Sequence, residues 1–346
     1  MKIRTSFYRA GVIAICAALL LVFASCSAAK KSDPLSLWND EAPAKKALVA
    51  YMQNVTDKNS ADFIPVKDRV ATFDFDGTLF CETHPTYFDF QLFIHRVLDD
   101  PSYTPLAEQK KMAGDFVATG NIPPLSKEYE IMLASAYEGF EPAAYNSYVK
   151  SFMETPQPGY ANLKRADAFY KPMLQVVDYL KQNGFTVFVS SGTNRFVLRA
   201  LVCDALNLPP HQVIGSDNVL LGDKQGGKDG LDYVYCKGDK VVFGHENIIK
   251  NLQMNKLTTI VKEIGVQPVL AFGNSFTDAS MVNYAINGNK YKSLGFMLCC
   301  DDLEREYGNI KKADKMKSDC AEYGWIPVSM KDDWTTIYGA AVTKTE

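Results

Sequence analysis

The sequence predicts an α/β protein of three layers, a mostly parallel sheet between helices, with a mostly helical cap inserted after the first catalytic strand. Three observations carry this prediction. Apolar runs that suit parallel strands covered on both faces alternate with stretches of helical periodicity. Several of those runs end in turns rich in polar side chains, where open α/β sheets collect their ligands. Residues 82–165 interrupt the alternation with aromatic, proline-punctuated sequence of helical character.

In chain order, the first segment reads as an export signal. Lys2, Arg4 and Arg9 precede an unbroken small-and-apolar run over 10–24, which closes in Phe23-Ala24-Ser25-Cys26. The small residues before Cys26 resemble a lipoprotein cleavage site, with Phe23 where Leu is more usual. Residues 1–26 are therefore assigned to a lipoprotein signal with Cys26 as the lipidated residue, and 27–35 to a polar tether. An uncleaved membrane anchor is the rival, although the run is short for a full span. The expected location is a membrane surface, facing the periplasm.

Asp40-Glu41-Ala42-Pro43 starts a helix in which Leu48, Val49, Met52 and Val55 recur at helical spacing. Val70, Ala71, Phe73 and Phe75 form the first central strand. Cap helices are expected near 87–98, 106–119, 127–137 and 143–153. Pro172, Met173, Val176, Val177 and Leu180 then mark an amphipathic helix that ends near Gly184 and feeds a strand over 185–190. A helix through Val197, Leu198, Leu201 and Val202 leads to a short strand at 213–215. Alternation around Gly238-Asp239 predicts a hairpin of 233–236 with 241–243. A helix carrying Leu257, Ile260, Val261 and Ile264 stops at Gly265, and strands follow at 268–273, 294–299 and 326–328. The catalytic core is thus assigned to 36–81 and 166–346, and the cap to 82–165.

Composition narrows the function. A net charge of -3 and the lack of a long basic run after the leader argue against a nucleic-acid partner, so any phosphate recognition is local. Beyond Cys16 and Cys26 the cysteines are Cys81, Cys203, Cys236, Cys299, Cys300 and Cys320, with no zinc-like Cys-x-x-Cys pair. Cys299 and Cys300 close an apolar run and read as buried thiols. The histidines are too scattered for a metal cluster.

The most informative stretch is Ala71-Thr72-Phe73-Asp74-Phe75-Asp76-Gly77-Thr78, where an apolar strand delivers two carboxylates into a turn. Alternate residues share a face while the chain is extended, but Gly77 implies a turn at Asp76 that gives it a role separate from that of Asp74. Carboxylates so close repel one another, and Mg²⁺, a hard ion that prefers oxygen, neutralises them. Taken alone, the stretch is also an acidic strand end. Three further turns accompany it. Ser190-Ser191-Gly192-Thr193 follows an apolar strand and offers a hydroxyl and amides to an anion, or an ordinary helix cap. Lys256 opens a helix, either to offset the carboxylates or as a solvent-facing lysine. Gly273-Asn274-Ser275-Phe276-Thr277-Asp278 supplies a carbonyl and a carboxylate for a cation, or an Asx turn.

Together these residues resemble the haloacid-dehalogenase-like phosphohydrolases. The family pattern of Asp-x-Asp-x-Thr, then Ser or Thr, then Lys, then an acidic loop is met in order by Asp74, Asp76 and Thr78, by Ser191, by Lys256, and by Asn274 with Asp278. A closer likeness is to a phosphoserine- and phosphorylcholine-phosphatase-like branch, carried by Phe80-Cys81-Glu82, Tyr170-Lys171-Pro172-Met173, Asp301-Asp302-Leu303-Glu304-Arg305-Glu306-Tyr307 and Ser329-Met330-Lys331-Asp332-Asp333-Trp334. The resemblance implies a Rossmann-like core and a Mg²⁺-dependent phosphomonoester hydrolase. In it Asp74 forms an aspartyl-phosphate, Asp76 is acid and then base, and Ser191 and Lys256 oppose the phosphoryl charge. Asp74, Asp76 through its backbone carbonyl, Asn274 and Asp278 hold the metal. Thr78, Glu82, Gly192 and Thr193 complete the substrate side, and Ser191 is preferred to Ser190 because Gly192 follows it. Asn274 stands where the family more often has Asp, which removes a negative charge and shifts weight to Asp278.

The implied partner is a small phosphorylated metabolite. Glu82 either favours a cationic head or binds the core backbone. Tyr87, Phe88, Phe90, Phe93, Tyr129 and Tyr137 either surround choline or pack the cap. Arg96 is the only arginine between Cys81 and Tyr160, which weakens the case for phosphoserine. A phosphotransferase or inorganic pyrophosphatase of the same fold, and a noncatalytic phosphate-ester binding protein, are the alternatives. The sequence sets no oligomeric state.

Overall fold

The computed structural model describes residues 33–345; the expected leader, Cys26 and most of the tether lie outside the described residues. Residues 33–36 belong to a short separate unit, in which the Leu35 amide donates to Asp33 Oδ1 at 2.9 Å. From Leu37 onward the chain is one compact unit.

The unit opens with α1 (Pro43–Thr56), started by a proline in its first turn, and β1 (Val70–Phe73) follows. Four cap helices come next: α2 (Phe88–Leu98), α3 (Ala107–Thr119), α4 (Lys127–Ser135) and α5 (Pro142–Met153). After the two-residue β2 (Tyr160–Ala161) the core resumes with α6 (Lys171–Gln182), β3 (Thr186–Asn194), α7 (Arg195–Ala205), β4 (Val213–Gly222) and β5 (Val241–Ile249). It closes with α8 (Met254–Ile264), β6 (Leu270–Gly273), α9 (Ala279–Ile286), β7 (Leu294–Cys299), α10 (Ile310–Tyr323), β8 (Ile326–Ser329) and β9 (Thr343–Lys344). This is the predicted architecture, a helix-flanked α/β core with helical insertions.

The main sheet has the order β5-β4-β3-β1-β6-β7-β8 and is parallel except for the β4–β5 pair. β3 and β6 pair on opposite sides of β1, so the connections reverse there and open a crevice at its carboxyl end. All four residues of β1 are buried, as strands covered on both faces require. Phe73 stacks on Phe272 with centroids 4.3 Å apart, and Phe272 on Phe296 at 4.9 Å. These rings are in register across β1, β6 and β7. A one-residue slip would turn them to the other face. The ring row therefore fixes which residues leave the sheet together, with Asp74 beside Gly273 and Asn274.

One predicted element fails. Residues 233–236 form no strand, and β5 pairs antiparallel with β4 instead. The Asp239 carboxylate accepts from the Tyr233 hydroxyl at 2.8 Å, the Cys236 amide at 2.7 Å and Lys224 at 3.1 Å. Side-chain bonding thus closes the loop that alternation had suggested was a ladder. Cys299 and Cys300 are buried free thiols, as expected. In the cap, Phe88, Phe90 and Phe93 are fully buried and pack on Phe152, Phe116 and one another.

Candidate active site

Asp74 is the first residue past β1, and its amide donates to the Phe272 carbonyl at 2.9 Å, extending the ladder just far enough to aim the side chain out of the sheet. Gly77 then reverses the chain at φ +73°; a Cβ there would collide with Asn274 Nδ2 and Glu82 Oε2. The turn is closed by the Gly77 amide to the Phe80 carbonyl at 2.6 Å and the Thr78 amide to the Phe75 carbonyl at 3.1 Å. Asp76 is thereby separated from Asp74.

Lys256, on the first turn of α8, is fully buried, and its ammonium donates to Asp74 Oδ1 at 2.7 Å and to Asp278 Oδ1 at 2.6 Å. The other Asp278 oxygen accepts from the Asn274 and Ser275 amides, each at 3.1 Å. Asp76 Oδ2 accepts from the Thr193 hydroxyl at 2.6 Å, while its Oδ1 is buried without a partner among the described residues. Burial, reinforced by the charge of Asp278 and opposed by Lys256, pushes Asp74 up to about 7. Burial and the nearby Asp89 raise Asp76 well above the carboxylate range. For Lys256, burial lowers the pKa but Asp278 and Asp74 outweigh it, so the ammonium stays charged. The site buries more carboxyl groups than its one lysine pairs, and burial disfavours their charged forms.

Asp74, Asp76, Glu82, Ser191, Gly192, Thr193 and Asn274 line one cleft of about 380 Å³, and Lys256 and Asp278 lie behind it. Ser190 is turned away, its hydroxyl taken by Asn251 at 3.1 Å, which leaves Ser191 at the cleft. Glu82 bonds neither backbone nor solvent alone: its oxygens take Asn274 Nδ2 and, at 2.9 Å, the Lys312 ammonium. Thr78 departs from expectation. Gly77 turns it back into the loop, where its buried hydroxyl has no partner among the described residues, and it does not line the cleft. Of the cap aromatics weighed earlier, only Tyr87 and Tyr129 reach the lining. Arg96 is held inside the cap by the Ala136 carbonyl at 3.2 Å and by Asp100.

Four residues around the site were missed: Asn251, Lys312, Lys250 and its partner Glu130. Asn251 is fully buried; its Nδ2 donates to Ser190 Oγ and to the Ser191 carbonyl at 3.0 Å, and its Oδ1 accepts from the α8 residue Thr259 at 2.6 Å. It ties the second half of β3, where the expected turn does not form and the pairing with β4 slips between Ser190 and Asn194, to the helix that carries Lys256. Lys312 and Lys250 line the cleft, and Glu130 holds Lys250 at 3.1 Å from outside that lining. A lone Asn or Lys in a polar stretch carries no sequence signal for this.

A family model described as haloacid dehalogenase-like hydrolase matches residues 71–282, which span all four turns. The chain belongs to that family. This hydrolase is similar to a solved protein of unknown function from Anaerococcus prevotii DSM 20548, with 12% identity, a TM-score of 0.49, and 82% of this chain and 92% of that one covered. It is similar to cytosolic 5'-nucleotidase IIIB bound to cytidine, with 13% identity, a TM-score of 0.49, and 87% and 91% coverage. A substrate-bound phosphoserine phosphatase matches with 14% identity and a TM-score of 0.37, over 74% of this chain and 98% of that one. No protein with a curated description matches the sequence.

Proposed function

We propose that this hydrolase is a Mg²⁺-dependent phosphomonoesterase acting on small organic phosphates, with Asp74 as nucleophile and Asp76 as general acid and base. The observation that supports it most is the Lys256 ammonium held between Asp74 and Asp278, which joins three of the four turns at one buried point.

An Asp74 oxygen attacks phosphorus in line, the ester P–O bond breaks, and Asp76 gives its proton to the departing oxygen. The raised pKa of Asp76 keeps that proton in place beforehand. Water then attacks the aspartyl-phosphate, Asp76 takes the water's proton, and the bond between Asp74 and phosphorus breaks to release phosphate. Thr193 orients Asp76 through its hydroxyl. Ser191 and Lys256 oppose the charge on the equatorial oxygens, where most of phosphoryl-transfer catalysis acts.

The donor set fits Mg²⁺. It is oxygen-only, its carboxyl groups are buried where a cation would favour their charged forms, and the ion commonly uses one or two carboxylates completed by waters and substrate oxygens. Among the described residues no group of three or more His, Cys, Asp or Glu side chains forms a ready cage. Asp74, the backbone carbonyl of Asp76, Asn274 and Asp278 would hold the ion, which supplies positive charge to the phosphoryl oxygens. The motif segments favour the phosphoserine- and phosphorylcholine-phosphatase-like branch. An exported enzyme, anchored by lipid at Cys26 and recovering phosphate from external esters, completes the reading.

The test is phosphate release by the purified protein from a panel of phosphoesters, with and without Mg²⁺. No release from any ester overturns the proposal. Asp76→Ala should slow alkyl phosphates by about 10²–10⁴-fold and an activated aryl phosphate far less. Equal losses would remove Asp76 from the acid role.

A further inference from the structure

Beyond its ring of carboxylates the cleft changes character. Tyr87 and Tyr129 from the cap, Leu252 from the core, and Ile122, Pro123 and Leu125 from the loop joining α3 to α4 form the outer wall. Ile122 is 37% exposed, Tyr87 40% and Leu125 56%. Single exposed apolar side chains are ordinary on a protein surface, but three around one opening make a patch that marks a binding surface.

The loop is built to hold this patch. Gly120 ends α3 at φ +70°, the Asn121 amide donates to Thr119 Oγ1 at 3.2 Å, and Pro123-Pro124 restricts the backbone between them and Ser126. Ser126 caps α4 by accepting from the Tyr129 amide at 3.2 Å. Both ends are therefore fixed to cap helices.

The charged groups of the same wall are already engaged. Glu82 is taken by Asn274 and Lys312, and Lys250 by Glu130. Burial raises the pKa of Asp89, which is tied to the backbone amides of Phe90 and Asn194 and faces Lys250. A cationic leaving group would need a free carboxylate here, and an anionic one a free ammonium or guanidinium, whereas Lys250 and Lys312 are paired with Glu130 and Glu82 and Arg96 is sequestered. Resting on the phosphatase reading, we propose that the group esterified to the phosphate is apolar and uncharged, and that Ile122 and Leu125 select it.

The experiment measures kcat/KM of the purified protein with Mg²⁺ for ethyl, butyl and hexyl phosphate, and for the matched pair 3,3-dimethylbutyl phosphate and phosphocholine, which share a shape and differ in charge. Burial of two further methylenes predicts a rise of roughly tenfold from ethyl to butyl phosphate. The neutral member of the pair should be hydrolysed at least as well as the charged one. Replacing both Ile122→Ser and Leu125→Ser should compress the butyl-to-ethyl ratio by roughly threefold or more, since each removes part of the apolar contact. A flat alkyl series with vigorous turnover, an unchanged ratio in the double variant, or a clear preference for phosphocholine over its carbon isostere overturns the inference and leaves the phosphatase reading standing. No phosphate release from any ester overturns both.

Discussion

The inner and outer halves of the cleft are built on opposite principles. At the inner end the groups issue from a strand, the loop that follows one or a helix start, are buried, and are held by named partners: Asp74 and Asp278 by Lys256, Asp76 by Thr193, the Ser191 carbonyl by Asn251. At the outer end the exposed apolar side chains of Ile122 and Leu125 are borne on a loop, beside Tyr87 and the buried Tyr129 of the cap. On the proposed function, chemistry on phosphorus, which tolerates little misplacement, would fall on the sheet, and selection of a leaving group, which needs only surface of the right character, on the loop. Mutations should therefore divide sharply by position along one cleft.

The largest effect belongs to Asp74→Asn. The shape is kept while the anionic nucleophile is lost, and a loss of about 10⁴-fold or more in kcat is expected, the scale seen when an attacking group is removed. Circular dichroism and thermal melting should show the fold retained. A variant with ordinary Mg²⁺-dependent turnover would dissolve the distinction between the two halves, because the inner end would then hold no unique group.

Lys256→Met asks whether the inner end is also a structural keystone. Methionine fills the space but leaves two buried carboxylates without their cation, and removing one partner of such a buried set costs about 3–5 kcal/mol. Chemical denaturation measures this directly. A loss below about 0.5 kcal/mol would mean that Lys256 behaves like a surface residue, for which such small changes are normal.

How much of this was legible beforehand follows the same division. The convergence at the inner end was readable because each candidate group sits next to a local signal: an apolar strand before Asp74, a glycine after Asp76 and another after Ser191, a helix start at Lys256. The cap helices were readable from periodicity, and their observed limits lie close to those expected. What stayed hidden depends on contacts between distant residues. Asn251 reaches back to Ser191, and Lys312 to Glu82, without any pattern around them. The alternation at 233–236 misled because Asp239, a single side chain, supplies the bonds that a partner strand would have made. Ile122 and Leu125 read as unremarkable loop residues until the fold set them over the cleft.

Gly77→Ala tests the hinge between Asp74 and Asp76. A left-handed φ of +73° costs an alanine about 1–3 kcal/mol, and its methyl group would also displace Glu82 and Asn274. Activity should fall more than stability does, because the displaced residues border the nucleophile. If stability alone fell, the Glu82–Asn274 contact would have no part in arranging the site.

The smallest expected effect is the most discriminating for the outer half. Leu125→Ser removes a side chain that is 56% exposed, and so should change stability by less than about 0.5 kcal/mol, as surface substitutions do. Phe90→Ala, in the same cap but fully buried against Phe116 and Tyr129, should cost about 3–5 kcal/mol. The two belong in one denaturation experiment, since both delete apolar surface from the cap and differ in where that surface points. If Leu125→Ser proved as costly as Phe90→Ala, Leu125 would be a packing residue whose exposure is incidental. If it is silent in stability and still alters discrimination between short and long alkyl phosphates, its apolar surface serves the ligand, and the outer wall is kept apolar for binding and not for folding.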